Sequence, residues 1–246
     1  DDTLRGVAIH VYNYDPTNNA KYYRYKFEET YKIVAPFWTT QRATVVPGTP
    51  PSTNPEILLV RNSIDTRVCY GTKKSTDFIL TSTTELNESR LDFSVRFISD
   101  QNYILSHRYS ILVHQYVENL AAYTYYKTLK KLSDSGTLLS PLQPGFFYGN
   151  IQSITNPDDK VIGFFDVTSV TSKRLFFNYI DLFPNESLPP YYIGCNELKM
   201  KFCDGAEDCN ADELIYGFTT NTLSYYRNLG ALYTVYEAPC GDCTTF

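Results

Sequence analysis

Methionine and tryptophan occur once each in this 246-residue chain, and histidine only three times. So few imidazoles leave little material for a histidine-based metal centre or a nucleophile–base pair. His107 and His114 are separated by an odd number of residues, so on one strand they would face opposite sides. No G-x-S-x-G, H-E-x-x-H or Walker pattern occurs. Carboxylate-pair chemistry of the glycosidase kind leaves no linear signature and stays open as a third reading. Lys and Arg never run beyond two in a row, and the net charge is −5, which removes the phosphate-binding footprint of a nucleic-acid protein. No apolar run approaches the roughly 18 residues a membrane-crossing helix needs. The chain opens on Asp1 without an initiator methionine or signal peptide and reads as mature, trimmed or a fragment.

What is abundant is tyrosine, with 22 residues, and phenylalanine, with 15. Chains rich in aromatic and β-branched residues favour sheet. Most of these tyrosines are expected on strands, with the ring in the core and the hydroxyl reaching outward. The expected fold is mainly β, a β-sandwich or similar β-rich domain, with one packed amphipathic helix.

That helix is expected at about 117–133. Val117, Leu120, Ala121, Thr124, Tyr125, Thr128, Leu129 and Leu132 recur at spacings of three and four. Lys127, Lys130 and Lys131 suit its C-terminal dipole, and Asp134-Ser135-Gly136 ends it. Tyr109–Tyr116 before it reads as a strand. A lone amphipathic helix must bury its stripe against a sheet.

Residues 4–12 read as a strand, and Asp15-Pro16-Thr17-Asn18-Asn19 as a turn. Residues 21–33 alternate, with Tyr23, Tyr25 and Phe27 on one face and Arg24, Lys26 and Glu28 on the other, predicting a two-stranded unit with one wet face. Two strands are marginal alone. Residues 1–34 are therefore expected to end an immunoglobulin-like sandwich whose earlier strands lie upstream.

Residues 35–55, with Pro36, Pro47, Pro50, Pro51 and Pro55, read as a linker without regular structure. Trp38 inside it either contacts a ligand or pins the linker to a domain face. Residues 56–246 are expected to form a β-rich domain with the central helix and a cysteine-rich tail. Strands are predicted at 56–61, 67–70, 77–82 and 91–98. The runs Val161–Val167 and Arg174–Ile180 are apolar enough for strands buried on both faces. Leu188-Pro189-Pro190-Tyr191-Tyr192 is extended, and Tyr191 and Tyr192 join Trp38 as candidate binding aromatics.

Cys69 stands apart, while Cys195, Cys203, Cys209, Cys240 and Cys243 crowd the tail as disulfide candidates. Six cysteines allow 15 complete pairings. Cys240-Gly241-Asp242-Cys243 fits a redox pair, half a zinc site or disulfides that staple the tail; disulfides place the chain in an oxidising compartment. Asp204, Glu207, Asp208, Asp212 and Glu213 form an acidic stretch that lacks the calcium-loop order and reads as a solvated surface. Neither catalytic residues nor metal ligands are assigned, and no cofactor is expected.

Several stretches together resemble a Bacteroidota family known as domain of unknown function 4249. They are Asp2-Thr3-Leu4-Arg5-Gly6-Val7 with Asp15-Pro16-Thr17-Asn18, and Tyr22-Tyr23-Arg24-Tyr25 leading to Glu28-Glu29-Thr30. Tyr109–Val113 with Gln115-Tyr116 follows, then Ala122-Tyr123 and Leu129-Lys130-Lys131 in the helix. Gln143-Pro144, Gly149-Asn150-Ile151, Asn156-Pro157-Asp158-Asp159, Val161–Phe165 and the closing Cys240–Cys243 complete the likeness. Tyr126 stands where the family pattern usually has Trp. The family pattern carries a lipoprotein signal with an acylated cysteine and sandwich strands further upstream.

The resemblance implies a non-enzymatic, lipid-anchored protein at the cell surface or periplasmic face of the outer membrane. Its implied partner is an outer-membrane barrel, a TonB-dependent transporter of the starch-utilisation type. Asp2-Thr3-Leu4 also looks like that phylum's O-glycosylation sequon, with Thr3 as acceptor. A carbohydrate- or peptide-binding module using exposed tyrosines is the alternative.

Overall fold

The computed structural model describes residues 5–49, 54–134, 149–156, 158–159, 161, 163–203 and 209–246. In chain order the strands are β1 (Gly6–Asp15), β2 (Tyr22–Val34), β3 (Gln41–Val46), β4 (Glu56–Arg61), β5 (Val68–Lys74), β6 (Ile79–Ser82), β7 (Ser89–Ser99) and β8 (Arg108–Glu118). Helix α1 (Leu120–Asp134) follows, then β9 (Ser169–Asn178), the single turn α2 (Tyr179–Leu182), β10 (Leu198–Lys201) and α3 (Ala211–Thr219). The hairpin β11 (Leu223–Leu229) and β12 (Leu232–Glu237) leads into α4 (Ala238–Gly241). The fold is mainly β, as the composition implies.

Two compact units emerge, each drawn from separated stretches. The first comprises Asp1–Glu29, Thr72–Asp100 and Ser110–Phe176; the second comprises Thr30–Gly71, Gln101–Tyr109 and Phe177–Phe246. This differs from the consecutive division at 34 and 55 expected from the sequence. Sheet pairing joins residues distant along the chain, so a compact unit need not be a continuous segment.

In the first unit β1 pairs antiparallel with β7, from Gly6 opposite Ser99 to Asp15 opposite Ser89, with a bulge between Ile9 and His10. The expected pairing of β1 with β2 does not form. The turn between them explains why. Asp15 accepts backbone hydrogen bonds from Thr17, Asn19 and Ala20 at 2.8–2.9 Å. Asn18 adopts a left-handed φ of 58°. This is a wide, side-chain-templated turn rather than a two-residue hairpin, and it carries the chain from one sheet into another. Its hydrogen bonds hold the Asp15 carboxyl down at about 2.

The second sheet runs in the order β5, β2, β8, β9, with β6 also on β2. The Tyr25 ring stacks on Phe93 of β7 at 5.6 Å, and Arg96 of β7 donates two hydrogen bonds to the buried Glu29 carboxylate. β7 therefore lies over β2. The opposite face of β2 is wet only in part: Lys26 is exposed, as the alternation suggests, but α1 covers the strand at Tyr22 and Arg24. Tyr22 meets Tyr123 at 4.9 Å, and Arg24 is buried beneath Tyr126. The helix begins three residues later than its periodicity predicts, because Val117 still belongs to β8. Its buried residues are Ala122, Tyr123 and Tyr125, while Leu120 faces solvent. Aromatic rings reach further into the sheet than the aliphatic stripe does, and they set the rotation of the helix.

None of the described residues of 161–167 lies in a strand, and β9 is not buried on both faces. β9 ends the sheet order, so nothing pairs its outer edge among the described residues, and Leu175 and Phe176 remain about half exposed.

The second unit has a separate core of Leu214, Phe218, Tyr225, Tyr233 and Val235 from α3 and the β10–β12–β11 sheet. The segment expected to be an unstructured linker supplies β3, which pairs with β4 from Gln41 opposite Arg61 to Val46 opposite Glu56. Ala43 and Val45 alternate toward that core, and Pro47 and Pro55 sit just outside the strands, where a missing N–H costs nothing.

All six cysteines pair: Cys69 with Cys243, Cys195 with Cys240, and Cys203 with Cys209, with Cα separations of 5.8, 5.8 and 5.6 Å. Cys69, set apart in the sequence, closes the longest loop, 174 residues. The two cysteines of the C-x-x-C motif take different partners, which selects the disulfide reading over the redox pair and the half zinc site. Titration in denaturant should find no thiol before reduction and six after it. Replacing Cys69 and Cys243 with Ser should lower stability by about 3–5 kcal/mol, as expected for so long a loop, read as a shift in Tm.

Candidate functional site

The densest chemistry in the first unit lies where β2, β8, α1 and the segment after it converge. Arg24 projects from the α1-facing side of β2 and is only 8% exposed. Its Nε donates to Glu118 Oε1 at 2.5 Å. Its guanidinium lies 4.1 Å from the centre of the Tyr116 ring and 4.6 Å from that of Tyr126, aromatic surroundings that suit a weakly hydrated planar cation.

The residues around this ion pair are placed by ordinary backbone rules. Tyr116 and Glu118 are two apart on β8 and share a face. Asn119 caps α1, its Oδ1 accepting from Ala122 N at 2.9 Å. The same Asn119 donates from Nδ2 to Asp166 Oδ1 at 2.9 Å. Tyr126 stands two turns into the helix, above Arg24.

Glu118 Oε2 and Asp166 Oδ2 are both buried and lack another hydrogen-bond partner. A single proton between the two carboxyls satisfies both oxygens. Burial, first, and the hydrogen bond to Asp166, second, push Glu118 up to about 7 against the opposing pull of Arg24. Two carboxyls and one guanidinium thus carry close to zero net charge when one proton is held. That is the state in which a buried cluster is least costly.

A buried carboxyl whose proton affinity is raised beside a second carboxyl is also raw material for acid–base catalysis. Chemistry on a substrate requires contact, and the Glu118 side chain has 0% exposure. The two described cavities are lined by other residues. One, about 200 Å³ in the second unit, is bordered by Gln41, Asn62, Thr66, Ser224 and Asp242. The other, about 560 Å³ in the first unit, lies between β1 and the β8–β9 side of the larger sheet.

The aromatics singled out from sequence separate into two places. Tyr191 and Tyr192 join Tyr103, Tyr31 and Phe246 in a run of ring contacts at 4.5–5.8 Å. Tyr191 is committed to structure, its hydroxyl donating to Pro239 O at 2.9 Å, and burial raises it to about 12. Tyr192 is half-buried. Trp38 lies outside these ring contacts, with its indole nitrogen buried and without a hydrogen-bond partner. Thr3, Asp204, Glu207 and Asp208 lie outside the described residues, while Asp212 and Glu213 occupy the first turn of α3. His10 bonds Asp92 at 2.6 Å and His114 bonds Ser172 at 2.7 Å, both at the surface.

Sequence reasoning missed Arg24, Glu118 and Asp166 as a set. Arg24 was readable as a strand residue on a polar face, and Glu118 and Asp166 are 48 positions apart. The available signal was a charged residue, Glu118, closing an apolar strand directly ahead of a helix cap.

Fold and cluster define a disulfide-stapled β protein whose sandwich-like unit encloses a sealed ionic knot. The family model described as "Domain of unknown function (DUF4249)" matches residues 1–174, and the chain belongs to that family. No curated protein and no solved structure matches it. The matched stretch contains every member of the Arg24–Glu118–Asp166 cluster.

Glu118 binds its proton more tightly in the folded chain than in the unfolded one. Its contribution to stability is therefore complete below the ordinary carboxylate range and is lost as pH rises through about 7. Wild type should lose on the order of 1–3 kcal/mol from this group between pH 5 and 8. Glu118→Gln, which mimics the protonated acid, should flatten that dependence in denaturant titrations. Arg24→Ala, which strands the buried carboxyls, should cost about 3–5 kcal/mol.

Proposed function

We propose that the protein is a non-enzymatic accessory lipoprotein of a Bacteroidota outer membrane, lipid-anchored and docked on a TonB-dependent transporter or a related barrel complex. Family membership is consistent with this reading, and the three disulfides support an oxidising compartment.

The observation that carries the docking role is the surface segment between Gly149 and Val167. Ile154 is 98% exposed, Val167 82% and Phe165 69%. These apolar side chains are held out by an ordered frame. Asn150 and Phe165 exchange hydrogen bonds at 2.7 and 2.8 Å, and Asn156 Nδ2 donates to Asp159 at 2.7 Å. Phe164 turns inward onto Tyr125 at 5.0 Å, and Asp166 ties the segment to the sealed cluster. Apolar groups presented on a fixed frame are a mark of an interaction surface.

A second reading, a glycan- or peptide-binding module, rests on the half-buried Tyr192 beside the exposed Phe246 ring at 4.5 Å. Flat titrations against glycan and peptide panels would set it aside.

Gentle detergent extraction of the full-length protein from its own membrane should recover a barrel protein in stoichiometric amount. The Ile154→Asp/Val167→Asp variant should lose that partner with stability changed by no more than about 0.5 kcal/mol, as for surface positions. A clean monomer from wild type would overturn the docking role.

A further inference from the structure

The second unit holds a cavity of about 200 Å³ whose walls all belong to that unit. They are the entry to β3 at residues 39–43, the loop after β4 at residues 62–66, the turn from α3 into β11 at residues 218–225, and the chain from α4 to Thr245.

Each wall is pinned. Asn62 ties the loop after β4 to the entry of β3, its backbone N–H donating to Thr40 O and its Nδ2 to Thr39 O, both at 2.9 Å. Cys243 N donates to Thr66 O at 3.0 Å, and Ala238 N to Thr222 O at 2.9 Å. The Cys69–Cys243 and Cys195–Cys240 bridges hold the last stretch covalently. A concave site built from pinned segments is largely preformed, so a ligand bears little of the cost of ordering it.

Backbone groups do most of this pinning, which leaves side chains on the cavity uncommitted. The Gln41 and Asn221 amides and the Ser63 and Ser224 hydroxyls have no hydrogen-bond partner among the described residues. Two charged groups border the same cavity. Arg42 is exposed and makes no ion pair among the described residues. Asp242 is half-buried; its Oδ1 accepts from Thr244 N at 2.8 Å and Thr244 Oγ1 at 2.6 Å, and its Oδ2 has no donor among the described residues. Arg42 and Asp242 do not pair with each other.

These features narrow the ligand. A simple anion would face the Asp242 carboxylate and a simple cation the Arg42 guanidinium, so a net charge of either sign is disfavoured. A sugar needs an open aromatic face to stack on, whereas the two rings bordering this cavity, Phe218 and Tyr225, are 7% and 8% exposed and belong to the core. Drug-sized ligands, and peptides of several residues with them, need roughly 300–1,000 Å³. A small molecule carrying both a carboxylate and an ammonium meets every condition. The carboxylate suits the planar fork of Arg42, and the ammonium, with three donors and no acceptor, suits Asp242 Oδ2.

We propose that this cavity binds a free α-amino acid with an uncharged polar side chain. Arg42 receives the α-carboxylate and Asp242 accepts from the α-ammonium. Gln41, Asn221 and Ser224, each able to donate and accept, meet the side chain. The site uses neither the docking segment around Ile154 nor the Tyr192–Phe246 rings, so it stands independently of both readings above.

The test is calorimetric titration of the 246-residue protein with L-serine, L-threonine, L-asparagine and L-glutamine, each also as its N-acetyl and its α-amide derivative, and with glucose. At least one free amino acid should bind, and blocking either of its charges should weaken binding by about tenfold or more. Arg42→Gln, at an exposed position, should erase the discrimination against the α-amide and keep that against the N-acetyl form. Asp242→Asn, which retains the acceptor used by Thr244, should do the reverse. A misfolded variant would lose both discriminations together, so this crossover separates ligand contact from damage to the fold.

No binding of any of the free amino acids at millimolar concentration would overturn the proposal. So would blocked forms that bind as tightly as the free ones, or substitutions that weaken all forms alike. Glucose binding more tightly than every amino acid would also overturn it, by making the cavity a polyol site.

Discussion

A buried guanidinium organises the first unit. Arg24 cannot be left in the interior without a counter-charge, and Glu118 supplies it at 2.5 Å. Glu118 in turn needs a proton or a second donor for its remaining oxygen, and Asp166 shares that requirement. Asp166 lies on the segment following α1, and Asn119, which caps α1, holds its other oxygen. One charge on β2 therefore dictates the end of β8, the start of the helix and the path of the chain beyond it. The Tyr116 and Tyr126 rings both lie against the guanidinium. Such a knot contributes little net stability compared with a well-packed apolar core, but each member is costly to remove alone. It acts as a register pin: other placements of α1 on the sheet strand a charge.

The second unit is held by other means. A compact core of Leu214, Phe218, Tyr225, Tyr233 and Val235 is supplemented by three covalent links. Cys240 and Cys243 bracket Gly241, where a Cβ would come within 2.0 Å of Ser224 Oγ. The C-x-x-C spacing here serves close approach of α4 to β11, with each sulfur directed to a different partner. The same four letters in a strand–helix setting would mean redox chemistry. Setting, rather than spacing, decides between the two.

Function follows from what is sealed and what is presented. The Glu118 carboxyl is withdrawn from solvent, whereas Ile154, Phe165 and Val167 are exposed. That distribution underlies the docking role proposed above. Three disulfides suit an oxidising compartment.

Much was legible locally. Period-two alternation located β2 and β7, three-to-four spacing located α1 within three residues, and aromatic and β-branched content declared the β class, because each is a short-range property of the chain. Clustering of cysteines in the tail pointed to disulfides. What the letters could not determine was partnership. Whether β1 pairs with β2 or β7 depends on a wide turn templated by Asp15. Whether the second face of β2 meets water or a helix depends on where α1 packs. Cys69 finds Cys243 across 174 residues, and Asp166 finds Glu118 across an intervening helix. Each of these is a meeting of groups far apart in sequence, selected by how the assembled elements pair strands, cover faces and match buried charge. Periodicity along the chain carries no record of such a requirement; only the assembled sheets and helix impose it.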